Sequence, residues 1–309
     1  MPKLNSNRNL ILLIISLVAM LYSSCLDDRM DYTSFYGERL KLYSYDSKHI
    51  QLLIEDKNIS QNVIGMLNLF DEAYEYTEKL MNRCSTDSQL RVLTIAQVKN
   101  TCGGGCGLLG ANGIEISDVF MDSLLVCTDG ISCYKLLFYE FGRNFWNFKK
   151  ELNYKDADET GVISTGFAIF LRELLLSRFD TCAKFSLENN PIIINYRNLL
   201  RQYESDIGLN WYKTILLGKP PSNKFELSGS DFFSSFFFEL YINYGKDCFL
   251  HNFSNAIKRQ KIAITTQDAI DNFVISACLA SGEDLRNHFK DVWKWPLSAY
   301  VEIHDVQCR

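Results

Sequence analysis

Leu136-Leu137-Phe138-Tyr139-Glu140-Phe141-Gly142-Arg143-Asn144-Phe145-Trp146 is the stretch on which the fold of this chain turns. It lies within Ile131 to Phe148, a run so apolar that a helix formed from it must pass through the middle of a domain. Glu140 and Arg143 are three residues apart, hence neighbours on one helical face and able to form an intrahelical ion pair. A charge without a partner is costly in such surroundings, so pairing is expected whether or not the helix carries a site. Asn144 follows and can hydrogen-bond either Glu140 or a ligand.

Outward from this helix the chain alternates and then becomes helical. Ile50 to Ile54 is strand-like, and Ser60 is positioned to cap a helix with apolar residues from Val63 to Leu80 at helical spacing. Leu90 to Val98 reads as a second strand. The turn-forming segment Cys102-Gly103-Gly104-Gly105-Cys106-Gly107 and a short strand at 113–116 come next. That glycine segment lacks the G-K-[ST] ending of a phosphate loop, and a bridged turn at a sheet edge is the expectation.

A polar loop from Lys149 to Glu159 precedes a second buried helix, Thr165 to Leu176, and these two adjacent helices are where a site should lie. Beyond Pro191 the pattern is helical throughout. Ser230-Asp231 caps a helix through Tyr241, Thr265 and Asp268 open one that ends at Ser281-Gly282, and a last helix over Glu283 to Trp295 stops at Pro296. The order implies an α+β region followed by a helical one.

With 309 residues, 47% of them hydrophobic, the chain can bury a large core. Its net charge of −5 and the want of a basic, aromatic-interleaved run exclude general nucleic-acid binding. Lys3 and Arg8 followed by the apolar run Leu10 to Leu21 read as a signal peptide over residues 1–24, too short to span a bilayer comfortably. A membrane link would come only through an uncleaved signal or a lipidated Cys25, and the expected location is secreted or extracellular surface.

Ten cysteines in an exported chain point to disulfides. Cys102, Cys106, Cys127 and Cys133 sit close enough to imitate a four-thiolate zinc site, yet neither spacing is the usual C-x2-C, and bridges are favoured. Asn58 and Asn252 head glycosylation sequons. The four histidines His49, His251, His288 and His304 include no pair at i, i+4, and no nucleophile elbow occurs.

The Y-E-F-G-R-N-F-W helix, the strand and backing helix over 50–80, and the closing segment Ser281 to Phe289 with Trp293-Lys294-Trp295-Pro296 resemble the gluzincin-type zincins, most of all the M60-like (enhancin-type) metallopeptidases. The resemblance implies a zincin-like α+β domain over 25–190, a small mixed sheet with a backing helix and an active-site-type helix, and an all-helical C-terminal subdomain over 191–309. In the family's H-E-x-x-H signature two imidazoles bind zinc and the glutamate polarises water. Carried over, Glu140 matches that general base, while Tyr139 and Arg143 hold the two histidine places. The third, acidic ligand falls near Thr165 to Glu173, where Glu173 is the carboxylate.

A guanidinium that stays protonated cannot donate a lone pair to a cation, so no metal and no cofactor are expected. Three functions remain open from sequence. The first is an inactive peptidase-like protein that binds a peptide or glycoprotein. The second is a hydrolase in which Glu140 is acid or base with Tyr139 or Arg143 stabilising an oxyanion. The third is a disulfide-braced interaction module whose clefts are filled by Trp146, Phe167 and their neighbours.

Overall fold

The computed structural model describes residues 28–82, 92–111, 113–127, 130–180 and 186–303. The signal segment, Cys25, Cys84, Cys182, His304 and Cys308 lie outside the described residues.

A six-stranded mixed sheet is built from β1 (Met30–Thr33), β2 (Arg39–Asp46), β3 (Ile50–Ile54), β4 (Leu93–Val98), β5 (Gly105–Gly107) and β6 (Ile114–Ser117), in the order β1-β2-β3-β4-β6-β5. The β3–β4 and β4–β6 pairs are parallel and the others antiparallel. Period-2 alternation sets the faces. Ile50, Leu52, Leu93 and Ile95 enter the main core, whereas Leu42, Leu53, Ala96 and Val98 form a small cluster of their own.

Backing the sheet is α1 (Gln61–Met81), whose buried residues Val63, Met66, Leu67, Phe70, Ala73, Tyr74 and Thr77 recur at three- and four-residue steps. Ser60 occupies its N-cap position without a side-chain cap bond. After β6 comes α2 (Asp118–Leu125), then α3 (Lys135–Asn144) and α4 (Ala157–Phe179). The helical part consists of α5 (Pro191–Ser205), α6 (Gly229–Asn243), α7 (Asp247–Ile257), α8 (Thr266–Ser281) and the short α9 (Ala299–Ile303). The fold is thus a mixed sheet with flanking helices followed by an all-helical region, the class expected from sequence. A single apolar cluster runs from Ile50 through α3 and α4 to Val301.

Several elements depart from the pattern reading. The helix expected over 131–148 is a 3-10 turn at Ile131–Tyr134 followed by α3, and it ends at Asn144. Phe145, Trp146 and Phe148 are buried after the helix stops, so apolar content continued where helical backbone did not. The α4 helix extends beyond 165–176 at both ends, and α6 takes Ser228 as its cap, in a capping box with Asp231. The Thr265/Asp268 box and the left-handed Gly282 at the end of α8 match their sequence signals.

The helix expected over 283–295 is shorter, running from Arg286 to Val292 with its last five residues, His288–Val292, wound as a π-helical turn, and Lys294 then adopts a positive φ. The reason is tertiary. Trp293 and Trp295 are drawn into a ring cluster with Trp211, Phe233, Phe236 and Phe289, and no regular helix would aim both indoles there.

Helices α3 and α4 touch at their backbones, where a Cβ on Gly142 would lie 2.9 Å from the Ala168 Cα and 3.0 Å from its carbonyl oxygen. Gly142→Ala must push the two helices apart, and the expected cost is about 1–3 kcal/mol of stability, read as a lower urea midpoint at unchanged slope.

Candidate functional site

The helix α3 lies against the edge of the sheet, and the strand it meets is β5, made from the cysteine-flanked glycine segment. Cys102 is bridged to Cys106, and Cys127 to Cys133, so the four thiols that could mimic a zinc site form two disulfides. Glycine is required where β5 passes α3. A Cβ at Gly107 would stand 2.5 Å from the Glu140 carbonyl oxygen, so no other residue lets the strand come this close.

The side chains of α3 complete that contact. Gly107 N–H donates to Glu140 Oε2 at 2.6 Å, and Arg143 Nε donates to the Gly107 carbonyl at 2.9 Å. Between themselves Arg143 Nε and Glu140 Oε2 are 3.7 Å apart, the ion pair anticipated from their spacing. Asn144 Nδ2 donates to the carbonyls of Leu108 and Gly113, at 3.0 and 3.1 Å, and Gly110 N–H donates to the Arg143 carbonyl. Tyr139 lies under the Arg143 guanidinium, 6.0 Å from ring centre to Cζ. Three of the five sequence candidates therefore converge on one glycine-rich strand and the turn after it.

Glu173 lies elsewhere. Its carboxylate is buried and paired with Arg172, Nη2 to Oε1 at 2.6 Å, on the part of α4 beyond the Gly142–Ala168 contact. It lines a recess of about 350 Å³ with Lys135, Ser177, Asp180 and Asn190, formed by the start of α3, the end of α4 and the entry to α5. The Ser177 hydroxyl oxygen is buried there without a hydrogen-bond partner among the described residues. A third buried acid, Glu159 on α4, was not singled out in the sequence. It accepts from Trp211 Nε1 and Thr266 Oγ1, which makes it a tie between helices.

Burial pushes the Glu140 carboxyl above its ordinary range, opposed by the Gly107 N–H and by Arg143. Metal chemistry does not fit this arrangement. One ligand place holds a guanidinium that is itself donating to a carbonyl, and among the described residues no group of three or more His, Cys, Asp or Glu could hold a metal ion. His49 stacks on Tyr74 beside Glu75, and His251 contacts the Lys79 carbonyl, so both histidines are engaged along α1.

No family model and no curated protein matches the chain. Solved structures do. A functionally unknown conserved protein from Bacillus anthracis superposes with a TM-score of 0.57 at 10% identity, over 84% of this chain and 50% of its own. A metallopeptidase from Bacteroides thetaiotaomicron gives 0.54 at 11% identity, over 84% and 42%. A metallopeptidase in complex with Tn antigen gives 0.56 at 10% identity, over 84% and 46%. This chain spans about half the length of these structures, or less. What they establish is the fold, one shared with two metallopeptidases and a protein of unknown function, here without a metal-ligand cluster among the described residues.

Two substitutions probe the α3–β5 contact. Glu140→Ala leaves a buried N–H and an unpaired guanidinium, at an expected cost of about 2–3 kcal/mol in denaturant unfolding. Glu140→Gln keeps an acceptor for Gly107 and changes the pH response instead. An acid whose pKa is raised by folding binds its proton more tightly in the native state, so its contribution lowers stability as pH climbs from the ordinary carboxylate range through the raised value. Glu115, Asp118 and Glu159 are raised by burial as well, so the slope is expected to be shallower in Glu140→Gln than in the native sequence, measured by thermal melts across mildly acidic pH.

Proposed function

We propose that this chain is a catalytically inert relative of the metallopeptidases, exported from the cell, that binds a peptide or glycoprotein without cutting it. One observation carries the inert part of this reading. The glutamate in the place of the general base is buried, bonded to Gly107 N–H and paired with Arg143.

A base must reach the proton of a water poised beside the substrate, and Glu140 instead spends Oε2 on the backbone of β5. Behind α3, Trp146 and Phe167 are buried with ring centres 5.3 Å apart, which leaves that side filled. The same facts weigh against Glu140 working with Tyr139 or Arg143 as an altered hydrolase, since both Glu140 and Arg143 already have structural partners.

For the binding part, the support is the recess beside α3. Lys135, Glu173, Ser177 and Asn190 present cationic, anionic and hydroxyl or amide groups in a volume suited to a side chain or a sugar ring. The metallopeptidase solved with Tn antigen shares the fold, which favours a glycosylated peptide as the ligand. The exposed sequon Asn58 and the two disulfides accord with an extracellular setting.

Metal analysis of the purified protein, paired with melts in the presence and absence of a chelator, tests the inert reading. Zinc well below one per chain and an unchanged melting temperature are expected, because a protein that holds no structural metal gains nothing from it. Stoichiometric zinc beside Glu140, or peptide hydrolysis lost on Glu140→Gln, would overturn it.

A further inference from the structure

Two loops meet on the surface beyond α3. The segment 149–156, between α3 and α4, and the segment 258–265, between α7 and α8, are held together by one backbone bond and by side chains of α8. Ala263 N–H donates to the Lys150 carbonyl at 2.9 Å, and Asn272 Nδ2 donates to the carbonyls of both Glu151 and Lys261 at 2.8 Å. Lys155 N–H donates to Thr266 Oγ1 at 2.9 Å.

The surface so fixed has two properties. Ala263 is 1% exposed, while its neighbours Ile262 and Ile264 are 62% and 76% exposed. Extended backbone turns alternate residues to one side, so burying Ala263 displays both isoleucines outward together. On the two segments stand Lys149, Lys150, Lys155, Arg259 and Lys261, with the acids Glu151, Asp156 and Asp268 beside them, while Lys258 is turned to the Asn82 carbonyl. Five cations less three anions give +2, on a chain whose net charge is −5. Asp268 is also committed, accepting within the Thr265 capping box and pairing with Lys261.

We propose that this face docks on an anionic lipid surface, with Ile262 and Ile264 entering the headgroup boundary and the flanking lysines and Arg259 above the phosphates. Two apolar side chains held outward on a braced loop gain free energy by leaving water, and a basic ring adds attraction that decays within a Debye length. A soluble polyanion would use the cations alone and leave the isoleucines without a role. The attachment is independent of the N-terminal segment and of the recess beside α3.

The full chain, mixed with phosphatidylcholine vesicles containing or lacking phosphatidylserine and floated on a density gradient, gives the test. Expected is flotation with the phosphatidylserine vesicles, weakened by added salt, and little with phosphatidylcholine alone. Lys149→Glu with Lys150→Glu should lower partitioning at least roughly thirtyfold, the equivalent of two lysine contacts. Ile262→Ser with Ile264→Ser should lower it more than about tenfold while leaving the circular dichroism spectrum and melt unchanged, as suits exposed positions. Absence of flotation, equal flotation with both vesicle types, variants that float like the native chain, or retention on heparin without flotation would each overturn the proposal. None of these outcomes depends on whether the protein is catalytically inert.

Discussion

The architecture around α3 depends on a three-way contact in which a helical carboxylate and a helical guanidinium satisfy the donor and the acceptor of a single glycine on the edge strand. Each member needs the others. Glu140 in so apolar a place requires compensation, Arg143 supplies part of it, and the Gly107 amide supplies the rest. The contact exists only because Gly107 has no side chain to keep the strand away from the helix. One turn on, Asn144 fixes the continuation of the same segment through Leu108 and Gly113, so a short strand of three residues is held from two sides.

The same logic recurs wherever the helical layers bury charge. Glu159 is held by an indole N–H and a hydroxyl, and Glu173 by its neighbouring guanidinium. In each case burial raises the cost of the charged form and directional donors offset it, so Glu140 ties α3 to β5 and Glu159 ties α4 to α8 without requiring chemistry of either.

Much of this was legible in the sequence, and what was not has identifiable causes. The i, i+3 spacing of Glu140 and Arg143 announced the ion pair, and the glycine segment announced an unusual turn at a sheet edge. The capping signals at Thr265 and Gly282 were read correctly because they are local. Missing from any local pattern was the partnership between Gly107 and Glu140, 33 residues apart, since nothing along the chain encodes which helix face meets which strand. The strands at Met30–Thr33 and Arg39–Asp46 were overlooked, although Leu40 and Leu42 alternate with Lys41 and Tyr43. After Gly282 the helix is shorter than the sequence suggests, since its last turn gives way to the demand to bury two tryptophans at once.

A strand at the margin of a sheet ordinarily offers a free row of backbone groups to any passing peptide. At β5 the peptide unit of Gly107 has both its groups claimed by side chains from within the same molecule. Lateral growth of the sheet at that flank is thereby blocked, and with it recruitment of an extended polypeptide as an additional strand. Any such recruitment is left to the opposite margin, where, among the described residues, β1 pairs on one side only and most of its residues are open to solvent.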